Sequence, residues 1–101
     1  MNWMVKISRM VMTPTELKET DFGYFRFVRV HGDYRFSDAT DNRIGHRDLA
    51  GREIPESAGF IKIRGDEFEV EGHSMALGIG WDGKDEDNLS ALLGKIPTRF
   101  R

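Results

Sequence analysis

"YFRFVRVHGDYRFS", residues 24–37, decides the fold. Aromatic and β-branched residues fill its first half around Arg26 and Arg29, the composition that suits a pleated, half-buried backbone. His31-Gly32-Asp33 then offers turn chemistry, and Tyr34–Ser37 reads as the return strand, so the stretch predicts a β-hairpin. A second hairpin follows in "FIKIRGDEFEVEG", residues 60–72. There Ile61 and Ile63 alternate with Lys62 and Arg64, Gly65-Asp66 turns, and Phe68 and Val70 alternate with Glu69 and Glu71. Alternation with period two turns every other side chain to the same face of a sheet.

Working outward, "WMVKISRMVM" (residues 3–12) alternates Trp3, Val5 and Ile7 with Met4, Lys6 and Ser8 and predicts a further strand. In "TPTELKET" (residues 13–20) Thr13 suits a helix cap, Pro14 the first helical position and Glu16 the capping-box position, which predicts a turn or two of helix. Residues 38–59 are polar and irregular, punctuated by Gly45, Gly51 and Pro55, with room for a short helical turn across Asp48–Glu53. A connection of this length in a small domain is functional or carries some structure of its own. "DEDNLSALLGKIP" (residues 85–97) predicts a helix capped by Asp85 or Asp87, with an apolar stripe of Leu89, Leu92, Leu93 and Ile96 and a stop at Gly94 and Pro97. Hairpins followed by one packed helix imply a single α+β domain over residues 1–101, its sheet mainly antiparallel.

Charge and composition narrow the function classes. Fifteen basic and 17 acidic residues nearly cancel, so the chain carries no general attraction for nucleic acid or for an anionic membrane surface. No apolar run is long enough to cross a bilayer and no cleavage-site pattern follows the first residues, so the expected location is cytoplasmic. There is no cysteine, hence no disulfide framework and no thiolate metal site. The three histidines lack metal-site spacing, so neither a metal nor another cofactor is expected. The distribution of charge is uneven. Arg26, Arg29 and Arg35 make the first hairpin basic, whereas residues 66–87 carry eight acids against Lys84. This asymmetry suits complementarity within the domain, and also self-association into a homo-oligomer. The aromatic and basic residues of "FGYFRFV" interleave as in an RNA-stacking strand, but the small residue and partner motif of that class are missing, so no nucleic-acid partner is expected.

Two stretches carry candidate chemistry. "GHRDLAG" (residues 45–51) and "GHSMALG" (residues 72–78) both open on Gly-His and close on Gly, with their histidines 27 positions apart. Their flanks share nothing, so they are not a duplication. His46 has the right intrinsic pKa for a general base near neutrality, and Asp48 is placed to orient a ring or to cap a short helix. The glycines around Ser74 suit a backbone N–H nest for an anion. They suit better a wide turn in which Met75 and Leu77 fill the core.

These residues also carry a resemblance. "GHSMALG" resembles the Gly-aromatic-Ser-Met-Ala-aromatic-Gly loop of the Janus/Ocnus, or phosphohistidine phosphatase, family. "FRFVRVH" (residues 25–31) resembles that family's first strand, and "HRDL" (residues 46–49) its His-Ala-Asp-Ile segment. The three follow one another in the family's order, in separate pieces between Phe25 and Leu93. The resemblance implies His46 as general base, Ser74 and Ala76 as the phosphate-holding loop, and Arg26 in place of a phosphate-contacting lysine. Two functional expectations therefore stand side by side. One is a small binding or self-associating module, the other a hydrolase that removes a phosphoryl group from a phosphorylated ligand.

Overall fold

In the computed structural model, which describes residues 10–100, the decisive hairpin forms as β2 (Phe22–Val30) and β3 (Asp33–Asp38). Its turn places His31 and Gly32 both at positive φ, 52° and 81°, the hand that matches the natural twist of paired strands. Phe27 faces Phe36 and Arg29 faces Tyr34 across the ladder. The second hairpin forms as β4 (Ser57–Arg64) and β5 (Glu67–Glu71), with β4 antiparallel to β2. β1 (Val11–Met12) borders β3, and β8 (Ile96–Pro97) runs parallel to β5, so the order in the six-stranded sheet is β1-β3-β2-β4-β5-β8. The α+β class with a mainly antiparallel sheet is as expected. The strand expected through Trp3, Val5 and Ile7 lies outside the described residues, apart from its end in β1.

Alternation sorts the sheet into two faces. Phe25, Phe27, Tyr34, Phe36, Ile61, Ile63, Phe68 and Val70 fill one, where they meet Leu17 of α1 (Pro14–Lys18) and Leu89 and Leu93 of α3 (Gly83–Leu93). The other face carries Val28, Val30 and Ala58, covered by Ile44, by Leu49 of α2 (His46–Ala50), and by Leu77 and Ile79 of a small ribbon. That ribbon pairs β6 (His73–Ser74) with β7 (Ile79–Gly80). No helix among the described residues is long and apolar enough to cross a membrane.

The first helix has the capping box read from Thr13 and Glu16, with the Glu16 carboxylate accepting the Thr13 N–H at 3.0 Å. The other two helices begin earlier than the sequence predicts. Helix α2 starts at His46 rather than Asp48, because the Asp48 carboxylate reaches back to accept the Gly45 N–H at 2.8 Å and Gly51, at φ 64°, ends the turn. For α3 the cap is Asp82, whose Oδ1 accepts the Lys84 and Asp85 N–H groups, while Asp85 returns the bond to the Asp82 N–H.

The apolar stripe changes with that start. Asp85, Glu86, Leu89 and Leu93 face inward, whereas Leu92 is 40% exposed. Leu92 lies about 100° round the helix from Leu93, which takes it off the inward line. Ile96 lies beyond the end of the helix, on β8, and is exposed.

The basic hairpin and the acidic segment meet inside the domain. Arg29 is buried, with Nη1 2.9 Å from Asp85 Oδ1 and Nη2 3.1 Å from Asp82 Oδ2. Asp85 Oδ1 also accepts from the Tyr34 hydroxyl at 2.6 Å and from Ser57 Oγ at 2.9 Å. Burial, with the Asp85 hydrogen bond behind it, pushes the Tyr34 hydroxyl up to about 12. Arg35 donates to the Leu49 carbonyl and pairs with Glu53. Arg29 thus meets the acidic segment inside the domain, through the α3 cap and first turn, whereas Arg35 pairs with Glu53, outside that segment.

Candidate functional site

A cleft of about 450 Å³ opens on the sheet face opposite α1 and α3. His46, Arg26, Ser74 and Ala76 all line it. The two Gly-His stretches, unrelated as sequence, converge in space because α2 and the β6–β7 ribbon cover the same face of β2 and β4. Tyr24, Phe60 and His73 complete the walls. Phe60 stacks on Tyr24 with ring centroids 5.3 Å apart and meets the His46 ring edge-on at 5.0 Å.

His46 is only 7% exposed, and its Nε2 lies 2.8 Å from the Gly59 carbonyl oxygen. A carbonyl can only accept, so Nε2 carries the proton and Nδ1 is left with the basic lone pair. Burial pushes the ring's pKa below its usual 6.5, against the opposing pull of the Gly59 hydrogen bond, and the positive charge of Arg26 pushes the same way as burial. The imidazole is neutral near pH 7. Gly59 is a glycine for a reason of space. A Cβ there would stand 3.0 Å from the Glu71 carbonyl oxygen and 3.2 Å from the Phe27 ring.

The turn after β6 is fixed plane by plane. The Ser74 carbonyl accepts the Gly78 N–H at 2.8 Å, and Ser74 Oγ accepts the Leu77 N–H at 3.1 Å. Since Oγ receives a proton in that bond, its own O–H is available as a donor. Among the described residues, the N–H groups of Met75 and Ala76 donate to no protein acceptor. The turn thus offers two backbone donors and one hydroxyl within a single loop. Leu77 packs on the sheet, as the wide-turn reading expects. Met75 does not fill the core; it is 87% exposed at the mouth of the cleft.

Arg26 lines the cleft with its guanidinium engaged by the chain itself. Its Nη1 donates to the carbonyls of Asp38, Asp41 and Ile44 at 2.8–3.1 Å, and Nη2 lies 3.4 Å from Asn42 Oδ1. It ties down the connection that leads into α2 and contributes positive charge beside His46. Asp48 caps α2 and does not orient the ring. His31 lies at the hairpin turn beside Glu53, and among the described residues no three His, Asp or Glu side chains gather as metal ligands.

Sequence reasoning missed Arg47, Gly59, Phe60 and Tyr24. A glycine within a strand pattern is a signal for close backbone approach, and Gly59 had it. Arg47 carried no signal beyond its place after His46. Compared with protein-family models, with characterised proteins and with solved structures, the chain matches none.

Proposed function

We propose that the cleft binds a phosphoryl group and that the protein hydrolyses a phosphate ester or phosphoramidate there. One observation carries the reading. A buried, neutral histidine with its basic nitrogen defined by a backbone carbonyl lines the same cleft as a turn with free N–H and O–H donors. A base poised near neutrality and preorganised donors for a developing oxyanion are the two components that phosphoryl transfer to water needs. The resemblance to the Janus/Ocnus family assigns the same roles to His46, Ser74 and Ala76.

In this reading the N–H groups of Met75 and Ala76 and the Ser74 hydroxyl hold the equatorial oxygens. His46 Nδ1 takes a proton from water as the water oxygen bonds to phosphorus. The bond from phosphorus to the leaving nitrogen or oxygen breaks, and the proton held by His46 passes to that leaving atom. The products are inorganic phosphate and the protonated leaving group, so atoms and charge balance. Arg26, engaged by the loop carbonyls, contributes a fixed positive field.

Release of inorganic phosphate from a phosphoramidate and from an aryl phosphate tests the proposal, with His46→Asn as the comparison. The expected loss is roughly 10²–10⁴ in rate with the fold intact. Phosphate binding without release by the native chain would reduce the protein to a phosphoryl-binding module. Neither binding nor release would remove the reading altogether.

A further inference from the structure

Among the described residues, one side-chain hydrogen bond spans the two halves of the cleft. Arg47, the residue after His46 on α2, sends Nη2 to the Ala76 carbonyl oxygen at 2.7 Å. That oxygen belongs to the Ala76–Leu77 peptide, whose N–H is already held by Ser74 Oγ. Both ends of this peptide plane are therefore pinned, one by the turn itself and one by the helix that carries the base. The neighbouring Ser74–Met75 peptide is held through its carbonyl by the Gly78 N–H. The Ala76 N–H belongs to the peptide between these two fixed planes. A planar amide flanked in this way has little freedom to rotate.

We infer that Arg47 is a positioning residue, which sets the Ser74–Leu77 turn for anion binding and keeps it in register with His46. The inference rests on the proposed phosphoryl site. Arg47 does not line the cleft, and its guanidinium is engaged by a carbonyl, so it acts through the turn and not as a catalytic residue. The arrangement couples the turn that would hold a phosphoryl group to the helix that presents the base. Without the Arg47 bond, the turn keeps its own internal hydrogen bonds and the packing of Leu77, and loses its hydrogen bond to α2.

The experiment is a titration of the full chain with orthophosphate, followed by backbone amide NMR. It compares the native protein with Arg47→Met, Arg47→Lys and Arg52→Met. Arg47→Met keeps the aliphatic stem and removes the donor. Loss of one preorganising hydrogen bond is expected to weaken phosphate binding roughly three- to tenfold. The Met75 and Ala76 amides should shift in the free protein, while the acid midpoint of the His46 ring stays where it is. Arg47→Lys, whose ammonium can still donate to a carbonyl, should recover most of the affinity. Arg52→Met removes an exposed charge at the other end of α2 and should bind as the native chain does.

If the native protein binds phosphate and Arg47→Met binds it equally, the inference fails while the site stands. Equal weakening by Arg52→Met would reduce the effect to net charge and also overturn it. If the native protein binds no phosphate, the proposed function fails and takes the inference with it.

Discussion

His46 Nε2 and the Gly59 carbonyl oxygen stand 2.8 Å apart, and this contact decides which ring nitrogen is basic. Because burial, reinforced by Arg26, holds the ring's pKa below 6.5, the folded domain binds a proton at this site less readily than the unfolded chain does. The proposed hydrolysis should therefore be level at neutral pH and fall on an acid limb centred below 6.5. The stability that His46 confers has the same sign. It is complete above the unfolded value and disappears as the pH drops through the folded one. Imidazole NMR titration checks this, and a midpoint above 6.5 would contradict the burial argument.

Arg26→Gln should raise the His46 midpoint, since a positive charge that disfavours the imidazolium is removed. It should also loosen residues 38–45, which lose the bonds from Arg26 to the Asp38, Asp41 and Ile44 carbonyls. Faster amide exchange in that segment and an upward titration shift are the two readouts. A phosphate affinity that fell with neither change would mean that Arg26 touches the anion itself.

Asp85→Ala leaves Arg29 buried beside the half-exposed Asp82 alone on that helix, and strips the Tyr34 and Ser57 hydroxyls of their acceptor. Breaking a buried pair from one side typically costs about 3–5 kcal/mol. Arg43→Ala, which removes an exposed pair with Asp41, should cost no more than about 1 kcal/mol. Urea unfolding of the two variants gives the comparison. Similar midpoints would show that the buried network contributes little.

Leu89→Ala should destabilise the domain by about 2–5 kcal/mol, because Leu89 is wholly buried between α3 and the sheet. Leu92→Ala should cost no more than about 1 kcal/mol, since its side chain is already partly in solvent. Thermal unfolding separates them, and the reverse order would mean that the helix is docked by another face.

The same pair of leucines shows where sequence reading stops. Period-two alternation made both hairpins legible, because a strand's faces follow from its own residues. Helix α3 was legible as a helix, and its starting point was not. Asp82, Asp85 and Asp87 are all acceptable caps locally, and the choice fell to Asp82 because Arg29, 53 positions earlier, draws it and Asp85 together. In the cleft, His46, Ser74 and Ala76 could be singled out from short motifs. That they share one cavity depends on α2 and the β6–β7 ribbon covering the same sheet face, which only the assembled fold determines. Arg26 was visible as a cation near the site, but its role depends on three carbonyls of a loop without periodicity.

The Arg29–Asp85 contact also ties burial of the first hairpin to docking of α3. Residues 22–64 supply β2, β3 and β4, the centre of the sheet. Within that segment Arg29 has Glu56 as a partner, whereas Asp82 and Asp85 lie outside it. A guanidinium without its buried partners must stay hydrated, so water remains on the face that α3 will later cover. The Asp82 cap and the first turn of α3 supply the partners that let this face close over a dry core. Full burial of Arg29 thus depends on two aspartates that α3 brings, one its cap and the other in its first turn.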